Sequence, residues 1–497
     1  MKSRVTPYAR LAGIVAAALF AVATTAGTVH AAPPAAEPPS TPVPVTMVPG
    51  AMYAYVLNVK NVNPGQMMLA ENAVKDAGGV VVQAWPEIGV VVAHSSRATF
   101  EADVLKMVKG NAVTSIGMTR TVPVKEGTPD NGKTTPGAQG KGQQALDDVV
   151  PDPLEASQQW NMAMIGAQAA HNITDGSPDV LVGVLDSGID PTNPELADQI
   201  DRADSVNCTM AGAPDTSPTG WYPTASTHGT HVAGIIAAAR NGAGIVGVAP
   251  GVKLASIKVG NDDGFIYPEY AICGFVWAAE HGVDVTNNSY YIDPFEYWCS
   301  DQPDQAAVKE AVIRAVNFAT ANGVISVVAA GNSSQDLANK LSFLDKGSPD
   351  DAVTPTSRVI NSQCIDIPNE LDGTVSVSAL TSTGALASYS NRGLGKIDVA
   401  APGSSIYSTV SPLLTGANYG RMSGTSMASP HVAGVLALMK SAHPSWTPAQ
   451  MLTALRTEAT PKPCPANAIG GAACVGTDDL NSYYGYGVVN ALAAVQP

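Results

Sequence analysis

A segment near the end of the chain places a polar residue at the start of a helix built from small, apolar residues. It runs from Gly424 to Gly434 and reads Gly-Thr-Ser-Met-Ala-Ser-Pro-His-Val-Ala-Gly. A tight Gly-Thr turn puts the hydroxyl of Ser426 beside backbone N–H groups that have no partner inside the helix. Such a helix start favours developing negative charge, which acyl transfer requires next to a nucleophilic oxygen. The segment therefore predicts a nucleophile at Ser426.

Two upstream segments contain the partners that such a nucleophile needs. The run Val182–Leu185 reads as a buried strand and leads to Asp186, in front of a Ser-Gly turn. His228 begins a second helix of small, apolar residues, so it repeats the design of the serine segment. A histidine there can take the serine proton while the aspartate holds its other ring nitrogen. We therefore expect a triad in the order Asp186, His228, Ser426.

Each of these segments also has a simpler interpretation. An isolated Asp-Ser-Gly is usually a turn. His228 and His231 lie three residues apart and can bind a metal from one helix face, although the His-Glu-x-x-His pattern of zinc proteases is absent. His431 is expected to be a packed helix residue, and Asn332 alone fits a turn. The occurrence of all the segments in one chain favours the catalytic interpretation.

Together the motifs resemble those of the subtilisin-like serine proteases, or subtilases, over about residues 155–495. Asp186-Ser187-Gly188, His228-Gly229-Thr230-His231 and the segment 424–430 follow the order that is typical of this family. A fourth motif, Ala329-Ala330-Gly331-Asn332, follows a strand-like run. The resemblance implies that Asn332 donates a hydrogen bond to the oxyanion. It also implies a secreted serine endopeptidase that hydrolyses peptide bonds through an acyl-enzyme.

The same region alternates between strand-like and helix-like runs. The alternation begins with a strand at Leu181–Leu185 and ends with the serine helix, which continues through Val435–Ala442. It predicts an α/β fold with a mainly parallel sheet and helices on both faces, which is also the subtilisin-like fold that the resemblance implies. The carboxyl ends of such strands converge on one edge, where we expect the site.

The resemblance further implies that a peptide binds as an extra strand alongside the protein. The family's first edge corresponds to Asn287–Tyr291, and a second edge is expected at Gly264–Ile266. Tyr291 stands where the family usually has glycine, so the ordinary subtilisin specificity is not assumed. The residues expected to bind substrate are Ser289, Tyr290, Tyr291, Ala329, Gly331 and Gly264.

The chain begins with the features of a secretory signal peptide. Three cations (Lys2, Arg4 and Arg10) precede an apolar run at residues 11–29, and Val29-His30-Ala31 fits a cleavage site. The apolar run is about as long as a membrane span, but the Pro-rich segment behind it has no anchor. We therefore predict a signal peptide at residues 1–31, a Pro-rich leader at residues 32–50, and an extracellular protein that does not associate with membranes after signal removal.

Residues 51–124 read as a separate unit with the order β-α-β-β-α-β, the ferredoxin-like pattern. The unit resembles a subtilase propeptide, which implies an intramolecular inhibitor that leaves its last strand in the substrate cleft. The alternative is an accessory domain that stays attached. Residues 125–152 are rich in Gly, Pro, Lys and Gln and predict a flexible linker, cleaved between Gly140 and Leu154. The catalytic domain is expected at residues 153–497.

Charge and cysteine content restrict the partners and the compartment. The 497-residue chain carries a net charge of −15 and has no basic run, which argues against a nucleic-acid partner. Its six cysteines, all in the expected catalytic domain, predict three disulfides in an exported protein. Fifteen pairings are open, although Cys464 and Cys474 would close the shortest loop; the alternative is buried free thiols. A monomer is expected.

The triad chemistry requires no cofactor, and no catalytic metal is expected. The resemblance leaves room for a structural calcium ion, because the loop Ala239–Ile245 has the length of the family's calcium loop. Glu195 matches an acidic ligand of that site, and oxygen ligands suit Ca²⁺.

Three other functions agree with the motifs. A dedicated processing protease with one peptide target is permitted by the Tyr290-Tyr291 edge and by a long insertion at Asp293–Asp304. A peptide ligase or transpeptidase would share every motif and differ only in how water reaches the acyl-enzyme. A non-catalytic binding protein is the least favoured, since binding gives no physical reason to keep all four site residues.

Overall fold

The computed structural model describes residues 37–125, 158–352 and 355–496. The predicted signal peptide and nearly all of the predicted linker lie outside these residues, so both stay predictions. Residues 38–497 belong to one unit. Within the described ranges, no helix is both long enough and apolar enough to cross a membrane.

The N-terminal part of the described chain, here called the small unit, is an antiparallel sheet with two helices. Its elements are β1 (Tyr53–Val59), α1 (Pro64–Asp76), β2 (Val80–Trp85), β3 (Val90–Ser95), α2 (Phe100–Met107) and β4 (Val113–Met118). The strands lie in the order β2-β3-β1-β4, which is the ferredoxin-like arrangement. Strand β4 ends at Met118, and Arg120 and Thr121 beyond it bond to Glu269 and Asp351 in the rest of the molecule.

The larger part of the chain is built around one extended sheet. The strands of this part of the chain are β5 (Leu181–Asp186), β6 (Val206–Met210), β7 (Ala213–Asp215), β8 (Lys253–Lys258), β9 (Val285–Asn288), β10 (Trp298–Cys299), β11 (Ile325–Ala329), β12 (Leu344–Asp345), β13 (Arg358–Val359), β14 (Cys364–Ile365), β15 (Thr374–Leu380), β16 (Val399–Pro402), β17 (Ile406–Thr409) and β18 (Tyr419–Met422). Among the described residues, eight of them form a sheet in the order β16-β15-β11-β9-β5-β8-β6-β7. Neighbouring strands are parallel, except that β7 runs antiparallel to β6.

The helices of this part connect the strands and cover the sheet. They are α3 (Trp160–Met164), α4 (Ala167–Ala170), α5 (His228–Ala237), α6 (Pro268–Glu280), α7 (Pro303–Ala321), α8 (Pro412–Thr415), α9 (Thr425–Ala442) and α10 (Pro448–Thr457). Four of them begin with proline, whose fixed φ suits the first helical position and whose missing N–H costs no helix hydrogen bond there.

Successive side chains of the central strands enter two separate cores. Val182 and Val184 of β5 lie in the core that contains α5 and α9, whereas Leu185 lies in the core that contains α6 and α7. Since neighbouring residues of a strand point to opposite faces, both faces of the sheet are covered. This is the mainly parallel α/β arrangement predicted from the sequence.

Helices α5 and α9 are buried along most of their length because their small residues let neighbouring chain segments approach closely. A Cβ added at Gly234 would lie 2.1 Å from Oγ1 of Thr409. A Cβ added at Gly434 would lie 2.6 Å from Cβ of Val248. Neither position has room for a side chain in a close-packed interior. The small residues that follow His228 and Ser426 in sequence are therefore a packing requirement.

All six cysteines are paired, so the alternative of buried free thiols is wrong. The bonds join Cys208 to Cys273, Cys299 to Cys364 and Cys464 to Cys474. The last pair is the short loop singled out from the sequence. The pair Cys299–Cys364 cross-links the insertion that follows residue 293 to a segment 65 residues further on.

We expect Gly234→Ala to lower the free energy of unfolding by about 1–3 kcal/mol, since the added methyl group overpacks the core. The melting temperature, measured calorimetrically in a Ser426→Ala background to prevent self-digestion, should fall by several degrees. Gly347→Ala is the control, because a Cβ there meets no atom within 4 Å. Equal melting temperatures for the two variants would contradict the close-packing argument.

Candidate active site

Three adjacent strands and two helices bring the predicted catalytic residues to one edge of the sheet. Strands β11, β9 and β5 are neighbours, and they run parallel. Asp186 is the last residue of β5, and Asn332 follows β11 by three positions. Helix α5 begins at His228, and α9 begins one residue before Ser426. The site thus forms where parallel strands end and two buried helices start.

Asp186 and His228 form a direct pair. Nδ1 of His228 lies 2.9 Å from both carboxylate oxygens of Asp186. A carboxylate can only accept, so Nδ1 carries the proton and Nε2 is left to act as a base. Burial by itself lowers the pKa of His228, but the charge and the hydrogen bond of Asp186 outweigh burial and raise the pKa above its usual value.

The predicted nucleophile is in contact with the predicted substrate edge. The hydroxyl of Ser426 donates to the carbonyl oxygen of Ser289 at 3.3 Å. Because Ser426 is the second residue of α9, its backbone N–H belongs to the helix start and needs no partner inside the helix. The hydroxyl and the backbone N–H of Ser426 therefore lie at the same edge of the sheet as His228.

Asn332 is oriented by Thr425. Its Oδ1 accepts from the Thr425 backbone N–H at 2.8 Å and from the Thr425 hydroxyl at 3.0 Å. A backbone N–H can only donate, so the amide oxygen faces Thr425 and Nδ2 is directed elsewhere. A Cβ built on Gly424 would lie 3.5 Å from both Asn332 Nδ2 and Ser426 N, so two donors flank one point. Sequence analysis did not identify Thr425 as the residue that sets this orientation.

Pro430 explains a second contact that sequence analysis missed. Proline has no N–H, so inside α9 it leaves the carbonyl oxygen of Ser426 without its helical donor. The hydroxyl of Ser289 donates to that oxygen at 2.9 Å and also bonds to the hydroxyl of Ser429 at 2.9 Å. The predicted substrate edge is thereby tied to the first turn of the nucleophile helix. A proline four residues after a nucleophile was the available signal.

The two tyrosines of the predicted first edge are held by their hydroxyl groups. Tyr290 donates to Oδ1 of Asn288 at 2.9 Å. Tyr291 donates to Oδ2 of Asp350 at 2.7 Å, which fastens the edge to a distant loop. Burial raises the pKa of both phenols well above the usual value. Both phenols are therefore uncharged hydrogen-bond donors at neutral pH.

The other predicted substrate residues lie close by, although not all in the expected structure. Ala329 ends β11, and the N–H of Gly331 donates to the Thr425 hydroxyl at 3.1 Å. The second edge is a turn, not a strand, at its start, since Gly264 has a φ of +92°. Oδ1 of Asn261 closes this turn by accepting from two backbone N–H groups, those of Asp263 and Phe265.

The remaining histidines of the motifs are structural. Nε2 of His231 faces the carbonyl oxygen of Ile406 at 3.0 Å, and burial lowers the pKa of His231 to about 3. His431 bonds to the carbonyl oxygen of Met427 at 2.7 Å, and burial lowers the pKa of His431 to about 4. His228 therefore faces Asp186, and His231 faces a backbone carbonyl, so each ring has a protein partner.

Glu195, next to the loop expected to bind calcium, accepts hydrogen bonds from two directions. The Tyr419 hydroxyl donates to Oε1, and Nδ2 of Asn241 in the loop donates to Oε2 at 3.0 Å. Burial raises the pKa of Glu195, and these hydrogen bonds oppose that effect. In this arrangement protein donors satisfy both carboxylate oxygens without an ion.

Comparison with known proteins agrees with this geometry. Residues 177–487 match the model of the Subtilase family. Subtilisin E from Bacillus subtilis is 33% identical over 350 residues, which is 70% of this chain and 74% of that protein. Subtilisin from Bacillus pumilus is 34% identical over 337 residues, which is 68% of this chain and 98% of that protein.

Solved structures give the same fold. The epidermin leader peptide processing serine protease from Staphylococcus aureus matches with a TM-score of 0.66 at 20% identity. The match covers 89% of this chain and 98% of that chain. The predicted subtilisin-like fold is confirmed.

We expect His228 to titrate above pH 6.5, because Asp186 stabilises its protonated form. Asp186→Asn should move the midpoint to lower pH, since the attraction is lost while the burial remains. The measurement is an NMR titration of the histidine ring protons in the full chain carrying Ser426→Ala. His231 and His431 serve as internal controls and should stay neutral above pH 5. A His228 midpoint that Asp186→Asn does not lower would contradict the pairing.

Proposed function

Because this chain belongs to the subtilase family of serine endopeptidases, we propose that it is an exported, self-processing member whose triad is Asp186, His228 and Ser426. The observation that carries the proposal is the position of both Asp186 oxygens 2.9 Å from Nδ1 of His228. This contact fixes the tautomer that a base requires at Nε2. The substrate is a peptide or a protein.

In the proposed reaction, Nε2 of His228 takes the proton of the Ser426 hydroxyl while Oγ attacks the peptide carbonyl carbon. The hydroxyl has to turn from the Ser289 carbonyl towards His228, and such contacts commonly form only when substrate is bound. Nδ2 of Asn332 and the N–H of Ser426 stabilise the oxyanion. His228 then gives the proton to the leaving amine, and water hydrolyses the acyl-enzyme by the same steps.

The substrate chain is proposed to lie along Ser289–Tyr291, with Gly264 on its other side and Ala329 and Gly331 near the residue that precedes the cleaved bond. The contact between the Ser289 hydroxyl and the Ser426 carbonyl supports this placement. It keeps the substrate edge and the nucleophile in register, because neither can shift without breaking this partly buried hydrogen bond.

The small unit is proposed to be a propeptide that inhibits the enzyme until it is removed. Its position on helix α7 supports this role. Nη1 of Arg314 donates to three of its carbonyl oxygens, at 2.9 to 3.2 Å. A Cβ added at Gly117 would lie 2.3 Å from the Asp304 carbonyl oxygen, so β4 lies directly against the start of the helix. Arg120 adds a buried ion pair with Glu269.

Export and a monomeric state belong to the same proposal. The N-terminal signal features and the three disulfides support an extracellular location. The acidic net charge of −15 supports solubility and gives no reason for association with nucleic acid.

A dedicated processing protease is the second candidate function. The hydrogen bond from Tyr291 to Asp350 favours it, because it brings a loop from another part of the chain against the substrate edge. An edge restricted in this way suits a narrow range of peptides. The similar protein from Staphylococcus aureus is named as a leader peptide processing protease.

We expect the wild-type chain to lose its N-terminal residues as far as the linker and then to degrade casein. The full-length Ser426→Ala variant should stay uncut and inactive, because the nucleophile is missing. Intact mass reports the maturation, and release of soluble peptides reports the turnover of casein.

Two other outcomes would change the proposal. If the wild-type chain matures and leaves casein intact, the processing protease becomes the better description. If both chains mature alike, self-cleavage is wrong and another protease removes the small unit.

We further propose that neither activity nor folding requires a metal ion. Excess EDTA should leave the melting temperature of the Ser426→Ala chain unchanged, because protein donors already satisfy Glu195. Added CaCl2 is the matched measurement. A higher melting temperature in calcium than in EDTA would show that the loop Ala239–Ile245 rearranges into an ion site.

A further inference from the structure

The segment before the small unit is an ordered strap that crosses between the two parts of the molecule. The strap is defined here as residues 38–47, within the stretch expected from its composition to be a Pro-rich leader. Its buried and half-buried residues alternate with exposed ones, which is the pattern of an extended chain lying on a surface. Val43 packs against a cluster to which both the catalytic domain and the small unit contribute, whereas Val45 and Met47 pack against the core of the small unit.

Pro38, Ser40 and Thr41 of the strap form hydrogen bonds with the catalytic domain. Asp301 accepts twice from Ser40, at 2.8 Å from the backbone N–H and at 2.6 Å from the hydroxyl. Nε2 of Gln302 donates to the Ser40 hydroxyl at 2.9 Å. Ser40 itself is only 2% exposed, whereas Asp301 and Gln302 are half-buried. Two hydrogen bonds from one residue to a single carboxylate indicate a specific binding site and not an incidental surface contact.

The neighbours of Ser40 are held as well. The N–H of Thr41 donates to the Val359 carbonyl oxygen, and the N–H of Val359 donates to the Thr41 hydroxyl, both at 2.9 Å. Nδ2 of Asn361 donates to the Pro38 carbonyl oxygen at 3.1 Å and to Oδ2 of Asp301 at 2.9 Å. The disulfide Cys299–Cys364 joins the two segments that carry these groups. The receiving surface is therefore cross-linked and preformed.

We propose that this surface is a docking site for the N-terminal strap, and that the strap is a second anchor which delays release of the small unit after the linker has been cut. The site consists of Asp301, Gln302, Val359 and Asn361, and its ligand is the extended segment Pro38–Thr41. The inference rests on the proposed function, because it presumes that the small unit inhibits until it leaves.

Two anchors on one chain bind more tightly than either anchor alone. Once one anchor is bound, the other meets its site at an effective concentration set by the short connection, and overall affinity can rise by about 10²–10⁴-fold. The prolines of the strap favour an extended conformation before binding, so less entropy is lost on docking. The small unit must then lose both contacts before the cleft becomes free.

The test uses the full chain, and its first variants change residues that maturation removes. Ser40→Ala/Thr41→Ala deletes the two strap hydroxyl groups that bond to the catalytic domain. Thr46→Ala is the matched control, since Thr46 is an exposed hydroxyl residue of the same strap. Intact mass gives the time of linker cleavage, and hydrolysis of a short chromogenic peptide gives the time at which free enzyme appears. The interval between the two measures release.

We expect the double variant to shorten this interval by at least about tenfold and Thr46→Ala to leave it unchanged. Asp301→Asn, on the catalytic side, should reproduce the effect, and combining it with the strap variant should shorten the interval little further, since both changes break the same contact. All the matured enzymes should reach the same final activity.

The outcomes separate this inference from the proposed function. Equal intervals for wild type, the strap variant and Asp301→Asn would overturn the second anchor and leave the inhibitor role intact. If the wild-type chain shows no interval between cleavage and activity, the small unit does not inhibit. The inhibitor role and the second anchor are then both wrong.

Discussion

Two helices that are buried along most of their length begin next to each other with polar residues, and the rest of this structure depends on that arrangement. His228 and Ser426 stand in the first turns of α5 and α9, and both helices run into the core behind them. Helices surrounded on all sides need small residues wherever another backbone approaches, which is the physical role of Gly234 and Gly434. The parallel strands then deliver Asp186 and Asn332 to the edge where the helices begin. Architecture and site follow from one packing arrangement.

The contact between the small unit and the catalytic domain depends on buried charge. Arg120 is 3% exposed and stacks 3.9 Å from the centre of the Tyr267 ring, while it pairs with Glu269, which is fully buried. Removing one partner by mutation is costly while the interface stays closed, because the other charge then lies buried without compensation. The pair therefore makes the interface specific for a small unit that carries a cation at this position.

The sequence predicted the structural features that depend on residues close together in the chain. The turns and helix starts around Asp186, His228 and Ser426 are local features, and the central strands and helices follow from local hydrophobic patterns, with differences of a few residues at their ends. Contacts between distant segments were not predictable. Thr425 lies 93 residues from Asn332, Ser289 lies 137 from Ser426, and Ser40 lies 261 from Asp301. Two disulfides each span 65 residues, so loop length could not reveal these pairings.

The strap and the small unit are joined by the turn Val48–Gly50, where Val48 is 54% exposed and Gly50 has a φ of +80°. An exposed turn with few contacts is a preferred point of proteolytic attack. A single cut there would leave every contact in place and yet turn one ligand with two anchors into two ligands with one anchor each. The tightness of the complex would fall without any change at either interface. The time at which the enzyme becomes active would then depend on when this one peptide bond is cut and not on the strength of any contact.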